Sequence, residues 1–174
     1  MEIIYSHLIL DACCILNLCA SGEFLGILKS LPAEIVVTTI VQEKELITLQ
    51  NFPDFAAAIQ QGLLKVVDFE SEDEEESFVN YTDIVDDGEA ATFAIAVHRN
   101  WAIATDDKKA IAFIKKEAPN IQILSTAEII KHWSESESID NSILFNVLNA
   151  IRIKGHFVPS KNDPLRNWWQ GIIT

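Results

Sequence analysis

The chain has 174 residues, 49% of them hydrophobic, and carries 26 acidic against 13 basic side chains for a net charge of −13. That length suffices for one domain with a full core, and the apolar content, with a mean hydropathy of +0.17, excludes a disordered chain. The acidic excess leaves no overall positive field for holding nucleic acid and makes a basic protein partner a natural complement.

His7–Asp11 reads as a short apolar strand and Ala12–Ala20 as a helix. The start of the chain lacks the positive leader of a secretory signal. The run Leu8–Ala20, interrupted by Asp11 and Asn17, is too short to span a bilayer. The expectation is a cytoplasmic chain with no membrane contact. Cys13, Cys14 and Cys19 show no CxxC spacing and no His–Cys grouping, so they read as buried small hydrophobes in a reducing compartment.

A second predicted helix, Glu23–Leu31, is stopped by Pro32, and the β-branched Glu34–Thr38 follows as the second strand. Thr39–Asn51 suits an amphipathic helix, Pro53–Gly62 a further short one, and Leu64–Phe69 the third strand. The acidic run Glu70–Glu76 reads as a solvated loop or helix start. Helices are predicted over Glu74–Ile84 and Gly88–Asn100, then a fourth strand over Trp101–Thr105 and a helix over Asp107–Glu117. Ile121–Leu124 is the fifth strand, and Ser125 caps a helix at Thr126–His132, with Glu128 completing a capping box. This alternation predicts an α/β fold of three layers, α/β/α, around a central five-stranded parallel sheet. From Glu135 a polar linker leads to a helix over Ile139–Ile153 and the segment GHFVPSKNDPLRNWW. Residues 1–134 are therefore expected to form the α/β domain. Residues 135–174 form a C-terminal helical extension, packed on that domain or offered to a partner.

The carboxyl ends of parallel strands share one edge of the sheet, and residues just past them converge in a crevice. Asp11 stands at such an end, where its plainer role is a helix cap. Glu43 lies early in the helix after the second strand, where an exposed glutamate is ordinary and Glu45 competes with it. Glu89 opens a helix behind Asp86, Asp87 and Gly88, as a ligand or as a carboxylate favoured by the helix dipole. Of Asp106 and Asp107, one is expected to cap the next helix and the other to be free for metal. Four carboxylates in one crevice repel one another unless a cation lies between them. Hard oxygens without histidine favour Mg²⁺ or Mn²⁺, whose chemistry suits phosphoryl groups. His7, His98, His132 and His156 show no ligand spacing.

Taken in order, LILDACCILNL, TTIVQEKEL, DDGEAATFAIAVHRN and WAIATDDKKA resemble the PIN-domain nucleases, over about Ile3–His132. The resemblance implies one or two bound Mg²⁺ or Mn²⁺ ions and hydrolysis of phosphodiester bonds, mostly in RNA. Many members are toxins of toxin–antitoxin pairs, which adds an antitoxin protein and a homodimer to the expected partners. It carries catalytic roles onto Asp11, Glu43, Glu89 and Asp107, and metal ligation onto Asp11, Glu89, Asp107 and Asp106. The family's Thr-x-Asp is met by Thr105, Asp106 and Asp107. One departure is Cys13, where a small hydroxyl or amide is usual; a thiol supports a ligand less well. Thr105 keeps a hydroxyl close to the crevice.

Lys108 and Lys109, with Lys115 and Lys116, form one basic cluster. Arg152 and Lys154 lead a second that is interleaved with Phe157, Trp168 and Trp169. Basic and aromatic residues together suit single-stranded RNA, although tail packing is the plainer account of the tryptophans. Two other classes compete with a nuclease. One is a non-catalytic PIN-like module binding nucleic acid or protein. The other is aspartyl-phosphate chemistry, which needs an aspartate where Cys13 stands.

Overall fold

Short, largely apolar strands must be covered on both faces, and the helices of this chain divide to do so. The computed structural model describes residues 4–49 and 52–174. The strands are β1 (His7–Leu10), β2 (Glu34–Thr38), β3 (Lys65–Val67), β4 (Ala102–Ala104) and β5 (Ile123–Leu124). They make one parallel sheet in the order β3-β2-β1-β4-β5. Leu8 pairs with Ile35 on one side and Ala102 on the other, and Leu10 pairs with Ala104. The chain thus grows from β1 out to β3, then returns to add β4 and β5 on the opposite side. That reversal opens a crevice at the carboxyl ends of β1 and β4, where Asp11 and Thr105 are the next residues.

The helices are α1 (Ala12–Ala20), α2 (Phe24–Ser30), α3 (Thr39–Leu49), α4 (Pro53–Gln60) and α5 (Glu72–Thr82). They continue as α6 (Asp87–Arg99), α7 (Lys108–Glu117), α8 (Thr126–Ser136), α9 (Asn141–Lys154) and α10 (Arg166–Ile173). Strand alternation splits the core in two. Leu8, Leu10, Val37 and Ala104 pack with α1, α2, α4, α8 and α9, while Ile9, Val36 and Ile103 pack with α6 and α7. The alanines of α6, fully buried at Ala90, Ala94 and Ala96, let that helix lie close to the sheet.

Several boundaries differ from those predicted. β3 and β5 are shorter than Leu64–Phe69 and Ile121–Leu124, and α8 runs on through the expected linker to Ser136. The last positions of the predicted Thr39–Asn51 helix lie outside the described residues, as does the amino terminus before residue 4. α10 is an element that the sequence pattern did not reveal. Its Trp169 is fully buried and meets Phe157 edge-on, so the tail aromatics pack the extension down.

The acidic run is not wholly solvated. Glu74 is 3% exposed, and its two oxygens accept from Arg99 Nε and Nη2 at 2.7 and 2.9 Å. Arg99 also lies over Trp101, which stacks on His7. This ties α5 to the end of α6. Among the described residues no single helix is long and apolar enough to cross a membrane.

Candidate active site

Asp11 ends β1 and caps α1 in one step. Its N–H donates to Ala104 O at 3.0 Å, and its extended backbone lets Oδ1 accept from Ala12 N at 2.8 Å. Oδ2 accepts from Thr105 Oγ1 at 3.0 Å and from the Cys13 thiol at 3.1 Å. Thr105 is itself fully buried. Burial raises the Asp11 pKa above the ordinary carboxylate range, partly opposed by the bonds from Cys13, Thr105 and Ala12. A serine could cap α1 without this desolvation cost, so capping alone does not account for a buried carboxylate.

Glu89 is the third residue of α6. Its N–H donates to the capping Asp86 Oδ1 at 2.9 Å, and its Oε2 accepts the return bond from Asp86 N at 3.4 Å. Its pKa is pushed up to about 7, first by burial and then by the charges of Asp11, Asp86 and Asp107. Glu89 therefore registers a crevice in which four carboxylates repel one another.

The neighbouring aspartates divide the labour differently from the expectation that one caps and the other is free. Asp107 caps α7 through Oδ1, which accepts from Ala110 N at 2.8 Å, and it is also the one whose charge reaches Glu89. Its backbone N–H donates to Thr105 Oγ1 at 3.3 Å. Asp106 is committed elsewhere. Its Oδ1 accepts from Thr126 N at 2.9 Å, and its Oδ2 from Asn17 Nδ2 at 3.0 Å, Cys14 Sγ at 3.5 Å and Thr126 Oγ1. These bonds sew the end of β4 to α1 and α8. Burial raises the Asp106 pKa, and the same bonds oppose it.

Glu43 is exposed on α3, between residues that anchor this helix to the start of α6. Lys44 Nζ meets Asp87 Oδ2 at 2.5 Å, and a Cβ on Gly88 would lie 3.3 Å from Val41 Cγ2. None of the interactions among the described residues joins Glu43 to Asp11, Glu89 or Asp107. The side chain of Glu45, its competitor, lies outside the described residues.

Lys108 and Lys109 are exposed in the first turn of α7, beside Asp107. Lysines at a helix N-terminus oppose the dipole, so helix stability does not explain them. Arg152 and Lys154 are exposed in the last turn of α9, with Arg152 Nη2 donating to Asn149 Oδ1 at 2.6 Å. That end of α9 approaches the crevice closely. A cavity of about 310 Å³ is lined by Cys13, Asn17, Asp106 and Asp107 on one side and by Gly155, His156 and Phe157 on the other.

The sequence offers Asp86 or Asp87 as the cap of this helix; the structure uses Asp86, whose charge also acts on Glu89. Sequence reasoning gave no role to Asn17, although a polar residue inside the apolar run of α1 was a visible signal.

A family model described as a PIN domain matches residues 7–162. The match includes all four carried-over acids and runs on through α9. No curated protein and no solved structure matches the chain significantly.

Proposed function

The chain belongs to the PIN-domain family, whose members are generally nucleases, and on that premise we propose that it is a Mg²⁺- or Mn²⁺-dependent endoribonuclease. The observation that carries this reading is the placement of Asp11 and Asp107 just past the ends of the adjacent parallel strands β1 and β4, with Glu89 in the first turn of α6 close enough for their charges to raise its carboxyl pKa. Crowded carboxylates of this kind call for a hard dication, and an all-oxygen donor set without histidine fits Mg²⁺ or Mn²⁺. Asp11, Glu89 and Asp107 would hold it, with Glu43 as the acid contributed by α3. When bound, such an ion lowers the pKa of a water molecule and neutralises charge on phosphoryl oxygens.

The protein's own groups set the stage. Thr105 and Cys13 fix Asp11 Oδ2 from two directions, and Ala12 N fixes Oδ1. The 3.4 Å return bond from Asp86 N holds the Glu89 carboxylate only weakly, so it can turn toward a ligand. Lys108 and Lys109 flank Asp107 and offer positive charge to an approaching phosphate. Arg152 and Lys154 extend the basic track on the α9 side. Single-stranded RNA is the substrate class that fits an acidic chain with two small basic clusters and no broad basic face. A net charge of −13 also suits a basic antitoxin protein, so we extend the proposal to the toxin of a toxin–antitoxin pair in the cytoplasm.

The non-catalytic alternative rests on Cys13 and on the strongly negative surface; the Cys13 thiol donates to Asp11 Oδ2 at 3.1 Å, which weakens the first of these supports and leaves the second.

The test is cleavage of single-stranded RNA in Mn²⁺ by wild type and by Asp11→Asn. Wild type cleaves, EDTA stops it, and the variant is inactive. Cleavage that survives both EDTA and the substitution overturns the reading.

A further inference from the structure

We propose that Cys13, Cys14 and Asp106 form a separate site for a thiophilic dication such as Zn²⁺ or Cd²⁺, placed directly behind Asp11. The Sγ atoms of the two cysteines and a carboxylate oxygen of Asp106 all lie within 4.8 Å of one another. Two sulfurs and one oxygen are a soft donor set, unlike the all-oxygen crevice beside it, and they select Zn²⁺ or Cd²⁺ over Mg²⁺ or Mn²⁺.

The distances suit such an ion. Tetrahedral zinc, with Zn–S of about 2.3 Å and Zn–O of about 2.0–2.2 Å, sets a sulfur and an oxygen ligand roughly 3.5 Å apart. Cys14 Sγ and Asp106 Oδ2 are 3.5 Å apart, with the thiol proton now between them. Cys13 Sγ, which accepts from Asp106 N at 3.3 Å, lies within 4.8 Å of Cys14 Sγ and of an Asp106 carboxylate oxygen. A ligating carboxylate is normally oriented by further hydrogen bonds, and Asp106 has these from Thr126 and Asn17. Access is provided by the cavity of about 310 Å³, which opens on Cys13, Asp106 and the exposed His156. It leaves room for water as a fourth ligand.

Binding exchanges two thiol protons for one ion: both cysteines become thiolates and the protons leave to solvent. The Cys13 proton is the one now donated to Asp11 Oδ2. Occupancy therefore removes a donor from Asp11 and puts a metal-bound thiolate in its place. This consequence for catalysis rests on the nuclease reading; the site itself does not.

The experiment is a Cd²⁺ titration of the full chain with a phosphine reductant, followed by the thiolate-to-metal absorption band and by proton release in dilute buffer. One ion per chain and two protons per ion are expected. Cys13→Ser, at a partly exposed position, and Cys14→Ala each weaken binding by about 10- to 100-fold or more. Cys19→Ala, which alters a thiol outside the cluster, leaves the band unchanged. Absence of the band in wild type, or its persistence in Cys13→Ser, overturns the site. Neither outcome bears on RNA cleavage, so this proposal and the nuclease reading fail separately.

Discussion

Thr105 Oγ1 donates to Asp11 Oδ2 at 3.0 Å, joining the ends of β4 and β1 through two buried side chains. Thr105→Val keeps the shape and deletes the hydroxyl, which is both the donor to Asp11 and the acceptor of Asp107 N–H. A hydrogen bond to a buried charged group contributes about 1.5–3 kcal/mol, so denaturant unfolding should show a loss of that order. Because Asp11 also loses one of its positioning bonds, RNA cleavage in Mn²⁺ should fall by about 10- to 100-fold. A variant that is destabilised yet cleaves at the wild-type rate would show that Thr105 supports the fold and not the site.

Glu89 predicts a pH dependence. Its folded pKa of about 7 lies above its ordinary value of 4.5. Between those limits the folded state holds more protons than the unfolded state, so the Glu89 contribution to stability falls as pH rises through this window. A dication takes the proton's place, so metal affinity rises with pH over the same range. In metal-free buffer the melting temperature of wild type should drop relative to Glu89→Gln between about pH 5 and about pH 8. Added Mn²⁺ should reduce that difference. Parallel curves for the two proteins would place Glu89 outside the repelling group.

Asp11 and Glu89 were legible in the sequence because local chemistry marked them. An acid that breaks an apolar run at a strand end, or opens an alanine-rich helix behind a glycine, is costly or conspicuous. The alternation of strands and helices was legible for the same reason. Which strand neighbours which was not, since strands of two to five residues carry no label for their partner. The roles of Asp106 and Asp107 were hidden too. Adjacent aspartates differ only in which way each turns, and Thr126 and Asn17, distant in sequence, decide that. Glu74 looked like one more solvated acid because its partner, Arg99, lies 25 residues away. α10 escaped notice because an eight-residue helix containing Gly171 has little intrinsic propensity; its Trp169 is buried against Phe157 and the body of the domain.

The Glu74–Arg99 pair predicts acid sensitivity that is independent of the crevice. Arg99 holds the Glu74 pKa below its ordinary value, so the stabilisation is present above about pH 4.5 and is lost as pH falls through the lowered folded value. Glu74→Ala leaves Arg99 with Glu70 and the Asp68 carbonyl as partners, so the loss should be that of the charged hydrogen bonds removed, about 1.5–3 kcal/mol in urea unfolding at neutral pH. Its stability should also decline less on acidification than that of wild type. Arg99 ends α6 and Glu89 begins it, about 15 Å away along the axis. RNA cleavage below the melting temperature should therefore be retained. Lost cleavage in a folded Glu74→Ala protein would connect the two ends of α6.

Gly155 has an ordinary φ of −84°, so any need for glycine there comes from space and not from backbone strain. A Cβ would stand 2.6 Å from Asn17 Oδ1 and 2.8 Å from Ile151 O. Asn17 can yield only by disturbing its amide bond to Asp106, and the carbonyl belongs to α9 itself. Gly155→Ala should therefore destabilise by about 1–3 kcal/mol and loosen the contact between α9 and α1. Shortening the obstacle with Asn17→Ala removes one clash but also a donor to Asp106, so each single change should be harmful. In the double variant the loss should be less than the sum of the two singles, because the methyl added by Gly155→Ala then meets the Ile151 carbonyl but no longer the Asn17 amide. Strict additivity would assign the strain to the Ile151 carbonyl, and the close approach of α9 to the crevice would then be set within α9 and not by its packing on α1.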